Sequence, residues 1–584
     1  MRRSRIRIIW MLVTVMILTV FSACARGTDH VRVQWRDEAV HHAAAAALGK
    51  KPEGAVFFDE IGGITALVVE SQDTVDLTDL SGLPNLQSVD LSGAIVSDAT
   101  PLLSCARLQT LIVGDEFRYA EDQIEILEHL QENIPETDID VDKHYWSMIP
   151  VSFTDPVINA NVRAACGRSD GVLSCADIRG IRSLKIEGET VSHPEELGKL
   201  FRLKELTLKN CGITETGWVS SVPQLLLLNL DDNALPALSG IGSLTQLQAL
   251  SLNGNCLTDI SCVGELNELF ALSVNGNPLS DPSQITLATK LTNLSAMECG
   301  IRDIGFLRDM PQLQVIWLND NSISDLEPLA GLMQLKVLGL TSNQIRSVDA
   351  LSGLTEMTDL YLANNNISDI TALSGMGKLE RLQLTMNNVF DIAPIIGLSN
   401  LNEISLLSNP VLDYGPLLEL NRDWTKIDIE PQLAADACKT ASGLAQEIMA
   451  ETQDEKQRVQ LAHDRIVLLT KYDYDAAESG DLGFEVQSAY AALLRGRSVC
   501  VGYAESLVMI LRDMGIEAYI VNGKAAGVEH AWVVYRAGGD VVYVDPTWDD
   551  PDQGSLIYRD YLLADAQTMR EDHEWNETLF RMEG

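Results

Sequence analysis

At 584 residues the chain is too long for one ordinary hydrophobic core, so several domains or a solenoid are expected. Its formal charge of −40 argues against nucleic acid or an anionic membrane surface as the main partner, because both repel an acidic protein. Ten cysteines in this length do not make a disulfide scaffold.

Residues 1–24 read as an export signal. Arg2, Arg3, Arg5 and Arg7 form a basic start, and Ile8 to Phe21 form an apolar stretch too short to span a bilayer comfortably. The ending Val20-Phe-Ser-Ala-Cys24 resembles a bacterial lipobox, which implies that Cys24 is lipidated and becomes N-terminal after cleavage. Phe21 departs from the Leu usual at its site, and an ordinary secretory signal or an uncleaved anchor is the alternative. All three readings place the later domains outside the cytoplasm. No other stretch of the sequence is long and apolar enough to cross a membrane.

A short repeat array is expected over 25–145. Asp37 to Gly49 reads as an amphipathic capping helix leading through Gly54 to Leu67, and Ile64, Leu86 and Leu108 start three units at a 22-residue step. Thr137 to Asp142 reads as a terminal strand. A longer array, 146–431, repeats the scheme: Asp155 to Gly167 and Gly171 to Leu184 reproduce the cap with identical internal spacings. From Ile181 and Leu203 to Leu401 about eleven units then follow at the same 22-residue step. Each carries Leu-x-x-Leu-x-Leu-x-x-Asn, as in Leu335-Lys-Val-Leu-Gly-Leu-Thr-Ser-Asn343. This pattern resembles the leucine-rich repeat in the short bacterial form of internalin-like proteins.

One repeat cannot bury its own apolar face, so the leucines must stack inward, and the Asn must satisfy backbone groups in the following turn. Cys211 and Cys299 fall in the Asn register and read as buried ladder residues. Cys166 and Cys175 align with Leu48 and Phe58 and read as core, with a disulfide between them as the alternative. One outward column runs Ser295, Trp317, Gly339, Tyr361, Gln383. With strands about 4.8 Å apart, Trp317 and Tyr361 would stand roughly 10 Å apart over a glycine floor, a binding slot for a peptide or sugar. A chance pairing of exposed aromatics is the alternative.

Glu430 to Cys438 reads as a short joint, Ala441 to Lys471 as a helical stretch, and Tyr472-Asp-Tyr474 as its end. A helix is expected from Val501 to Met514, closed by Gly515. A strand should run from Ile516 to the turn signal Asn522-Gly523, and two more over Ala531–Tyr535 and Val541–Val544. Cys500 then stands at a helix N-terminus, which favours thiolate. His530 precedes one strand and Asp545 follows the next, so a hairpin brings them together. A sulfur to attack, an imidazole to deprotonate it and a carboxylate to orient the imidazole are the three roles of a thiol nucleophile site.

Val499-Cys-Val-Gly-Tyr-Ala504, His530-Ala-Trp532 and Asp545-Pro-Thr-Trp548 together resemble the bacterial branch of the transglutaminase-like superfamily of papain-related cysteine enzymes. That resemblance implies Cys500 as nucleophile, His530 as base and Asp545 as its orienting group. His463 reads as structural. Cys500 and Cys438 lack the close paired spacing of zinc ligands, and the acidic run from Asp545 to Asp552 lacks that of a calcium loop, so neither metal nor cofactor is expected. Asp549, Asp550 and Asp552 read as a solvated turn.

The expected architecture is multi-domain: two capped leucine-rich-repeat solenoids (α/β, 22-residue repeats) and an α+β transglutaminase-like, papain-like domain over 432–584. The expected function is that of an extracytoplasmic surface lipoprotein anchored to the membrane by its lipid. Its repeats bind protein or glycan, and its last domain performs acyl transfer on a protein or peptide, such as a cell-wall or host surface protein. A cysteine protease or amidase and a non-catalytic adhesin are the alternatives. Transamidation and hydrolysis need the same residue types.

Overall fold

The computed structural model describes residues 31–96, 98–113, 130, 136–137, 150–420, 424–480, 482–550, 557–577 and 580. The export signal with Cys24, Asp552 and most of the strand expected at 137–142 lie outside these residues. Two compact units result: residues 1–152 with 170–180, and residues 153–169 with 181–584. Among the described residues no helix is long and apolar enough to cross a membrane.

In the first unit, helix α1 (Glu38–Ala47) is capped by Asp37, whose carboxylate accepts from the N–H groups of Ala39 and Val40. A parallel sheet follows in the order β1 (Ala66–Val75), β2 (Ser88–Val96), β3 (Thr110–Val113), β4 (Glu136–Thr137). Leu67, Val69, Val89, Leu91 and Leu111 point inward, as the period of two requires.

The second unit opens with α2 (Pro156–Ala165), capped by Asp155. The other oxygen of Asp155 accepts the N–H groups of Ser192 and His193, fastening the cap to the first repeat. Twelve parallel strands follow, from Ser183–Glu187 to Lys426–Ile427. Leu228, Leu250, Leu272 and Leu294 stand in register and are buried. The Asn side chains do what their position demands: the Asn277 oxygen accepts from Leu257 N–H at 3.0 Å, and its nitrogen donates to the Leu252 and Val274 carbonyls at 2.9 Å. Cys211 and Cys299 replace that amide with a buried thiol, 3.3 Å from the carbonyls of Ile186 and Val274. Burial pushes both thiols up, which suits ladder residues. Cys166 and Cys175 are half-buried rather than core residues and belong to different units.

The expected joint is already helical, because Pro431 opens α3 (Pro431–Glu451). Cys438 on α3 is buried against the last repeats, its sulfur 3.2 Å from the Val411 carbonyl. The helical stretch expected to reach Lys471 divides, because Asp454 caps a second helix, α4 (Glu455–Leu469). Next come the parallel pair β5 (Lys471–Tyr472) and β6 (Arg497–Ser498), then α5 (Cys500–Asp513). Strands β7 (Ala518–Ala525), β8 (Val528–Ala537), β9 (Asp540–Val544), β10 (Leu562–Ala564) and β11 (His573–Glu574) form an antiparallel sheet ordered β10-β9-β8-β7-β11. Helix α5 is buried along most of its length between α3, α4 and β8.

The predicted boundary at 432 is a change of architecture inside one compact unit. The Asn388 side chain, from a repeat, accepts the Ile520 N–H at 2.6 Å and donates to the Ile520 carbonyl at 3.1 Å. The Arg512 guanidinium lies 3.9 Å from the centre of the Phe390 ring and 4.4 Å from that of Tyr519. Near the C-terminus, Asn576 donates to Gln344 at 2.8 Å.

Candidate active site

Cys500 is the first residue of α5 and is 8% exposed. Gly502 makes this position accessible to the chain: a Cβ there would lie 2.1 Å from Ser498 Oγ and 2.6 Å from the Ser488 carbonyl. The start of α5 can therefore press against β6 only with glycine there. The thiol lies beside His530 and contributes to the rise of its pKa. His530 sits inside β8 rather than ahead of it, because the strand begins at Val528. Its Nε2 meets Asp545 Oδ2 at 2.8 Å, which leaves Nδ1 as the ring nitrogen for the thiol. Asp545 follows β9 and is fully buried, with Oδ1 accepting the N–H groups of Thr547 (2.9 Å) and Trp548 (3.2 Å). Three residues from a helix start, a strand interior and a strand end thus converge.

The electrostatics follow from that contact. Burial alone would lower the His530 pKa, but the Asp545 charge and hydrogen bond, helped by Cys500, lift it to about 10. Burial would raise the Asp545 carboxyl, but the charges and hydrogen bonds of His530 and His573 outweigh it and hold the group far below the carboxylate range. The site opens into a cleft of about 740 Å³ walled by Tyr472, Tyr474, Trp548 and Tyr558. On the array, Trp317 and Tyr361 do not leave the expected gap. Their ring centres are 5.1 Å apart, because Gly339 between them has no side chain to keep the Trp317 ring upright. Trp317 ends a groove of about 490 Å³ that runs along the strand face towards Lys185 and Glu205.

Residues 442–552 match the family model of the transglutaminase-like superfamily, and residues 289–331 and 334–375 match that of leucine-rich repeats in two copies. The chain carries leucine-rich repeats and a transglutaminase-like domain. Among solved structures, it resembles the internalin InlF of Listeria monocytogenes at 24% identity, covering 63% of this chain and 95% of that one, with a TM-score of 0.36. The leucine-rich-repeat protein LIC12759 of Leptospira interrogans is similar at 19% identity, covering 64% and 80%, with a TM-score of 0.38. The InlJ domain of L. monocytogenes matches at 22% identity over 47% and 59%, with a TM-score of 0.40. No curated protein matches the chain.

The transglutaminase-like domain holds polar residues that spacing did not reveal. His573, on β11, places its Nε2 3.1 Å from the same Asp545 Oδ2 and its Nδ1 2.6 Å from Asp572 Oδ1. The ligand-type atoms of His530, Asp545 and His573 lie within 4.8 Å of one another. Asp545 Oδ2 faces both rings, at 2.8 Å from His530 Nε2 and 3.1 Å from His573 Nε2. Glu505, on α5, is buried and accepts the Ala489 N–H at 2.9 Å; burial pushes its carboxyl up to about 8.

The expected solvated turn is a correction. Asp549 is fully buried, with Oδ2 3.1 Å from His463 Nε2 and Oδ1 accepting the N–H groups of Asp560 and Tyr561. Asp550 pairs with Lys471 and accepts the Tyr503 hydroxyl, both at 2.7 Å. These contacts pin the loop that carries Asp545, and His463 is one of the pins. Asn522-Gly523 is not a turn either. Gly523 pairs with His530 inside the β7–β8 ladder, and the chain reverses at Ala526-Gly527, both at positive φ.

Proposed function

We propose that the transglutaminase-like domain is a thiol acyltransferase acting on proteins held by the repeats. The supporting observation is the convergence of Cys500, His530 and the buried Asp545 carboxylate beside an open cleft that His530 lines. His530 takes the thiol proton, and the sulfur attacks a carboxamide or peptide carbonyl. As the C–N bond breaks, His530 returns that proton to the departing amine and a thioester remains. An acceptor amine or water then attacks, His530 removes its proton, and the C–S bond breaks. The unpartnered N–H groups at the start of α5, Cys500's own among them, stabilise the oxyanion in each half.

The repeats supply protein binding, with the strand face beside Trp317 and Tyr361 as the surface for a peptide or sugar. A lipid on Cys24 tethers the protein outside the cytoplasm and keeps a cell-wall or host surface protein within reach of Cys500.

Incubation with a labelled amine and a glutamine-bearing protein, read by mass spectrometry, tests the chemistry. Amine incorporation that disappears in Cys500→Ala supports transamidation, and Cys500-dependent fragments alone support hydrolysis. The reading fails if neither product forms and iodoacetamide labels Cys500 no faster in the wild type than in His530→Ala.

A further inference from the structure

We propose that His573 is a positioning residue that locks the Asp545 carboxylate onto His530, an inference that rests on the thiol reading above. Asp545 is fully buried and its acceptor sites are occupied: Oδ1 by the N–H groups of Thr547 and Trp548, Oδ2 by His530 and His573. The two rings meet the same oxygen, at 2.8 and 3.1 Å. A carboxylate held only through Oδ1 could swing Oδ2 away from His530. The second ring removes that freedom.

His573 is itself fixed from every side. Its Nδ1 faces Asp572, which also accepts the Tyr561 hydroxyl. Each ring nitrogen thus faces a carboxylate oxygen, of Asp572 on one side and of Asp545 on the other. Trp548 and Trp532 pack on it with ring centres at 4.8 and 4.9 Å, and Tyr561 at 5.3 Å. The strand that carries it reaches this depth because Gly523 has no side chain: a Cβ there would lie 2.4 Å from the Glu574 carbonyl and 2.7 Å from the Trp532 ring. The order of contact is Asp572, His573, Asp545, His530, Cys500, so His573 acts on the thiol through two other groups.

The test compares His573→Phe, which fills the space but donates nothing, with His573→Gln, whose amide can still donate to Asp545. Iodoacetamide labelling of Cys500 is followed against pH in the full-length protein. The His530 ring N–H on Asp545 is followed by NMR with 15N-labelled histidine. Phe should slow labelling near neutral pH by about tenfold or more, and Gln by less. The pH profile of labelling should change in His573→Phe and stay closer to that of the wild type in His573→Gln. The His530 ring signal should survive in Gln and broaden by exchange in Phe.

Phe equal to or better than Gln in rate, profile and ring signal would overturn the proposal and leave His573 a packing residue. If neither variant folds, Asp572→Asn removes the charge behind the ring; it should slow labelling in the same direction, and an unchanged rate and ring signal would equally overturn the proposal. An unlabelled wild-type Cys500 would defeat the thiol reading alone, since the ring signal still reports on His573.

Discussion

The array and the transglutaminase-like domain solve opposite problems with one chain. In the array the same polar task recurs from repeat to repeat: Asn233, Asn255, Asn277 and Asn343 bond equivalent backbone positions of their repeats. In the transglutaminase-like domain each task is done once, by a residue with no copy. Stability in the first region is therefore distributed over neighbours, while function in the second is concentrated in a few atoms.

The sharpest break between them should come from His530→Asn. It removes the base and should cut any Cys500-dependent turnover by about a thousandfold or more, while circular dichroism of the array stays unchanged. Turnover within tenfold of wild type would mean that the concentrated site is not where the chemistry occurs.

The reverse change is Asn277→Ala. It strands the Leu257 N–H and the Leu252 and Val274 carbonyls in a buried setting, at about 1–3 kcal/mol for each group left unpaired. Denaturant unfolding should show a loss of about 3 kcal/mol or more, with native-state Cys500 labelling unaltered. A loss of labelling instead would show that the array and the site are coupled. Asn388→Ala probes the seam. It removes two hydrogen bonds to Ile520 and should cost about 1–3 kcal/mol. Separate thermal transitions for array and transglutaminase-like domain should appear in calorimetry; a single unshifted transition would mean that the Phe390–Arg512–Tyr519 stack carries the joint alone.

The same contrast explains what was legible in the sequence. The 22-residue step, the inward leucines and the Asn ladder are readable because each depends on spacing within one or two turns of the solenoid. Cys500, His530 and Asp545 are readable because their motifs flank ordinary helix and strand patterns. His573 was not, because its role depends on a two-residue strand docking where Gly523 lets it in. Asp549 and Asp550 looked solvated because an acidic run usually is, and their partners His463, Lys471 and Tyr503 come from three other elements. Asn522-Gly523 misled for a related reason: sheet pairing overrode a local turn preference. For Trp317 and Tyr361, strand spacing set the backbone positions, but the side chains then filled the room that Gly339 left.

Glu505 lies where the two regions meet and provides the smallest and most conditional effect. It is on α5, and together with the array residues Leu407, Ser408 and Tyr414 it lines the seam. Its folded pKa is raised from 4.5 to about 8 because burial penalises the charge more than the Ala489 N–H relieves it. Below about 4.5 both folded and unfolded chains hold the proton. Between about 4.5 and about 8 only the folded chain does, so stability falls as pH rises through this window and is flat above it. Glu505→Gln keeps an oxygen for Ala489 and cannot ionise. It should match the wild type near pH 5 and unfold about 2 °C or more higher at pH 9. The difference between the two pH values is what matters, because it cancels any cost of fitting the amide. A gap that did not widen with pH would mean that the seam already accommodates the charge, and that the repeats meet α5 through a wetter junction than its packing implies.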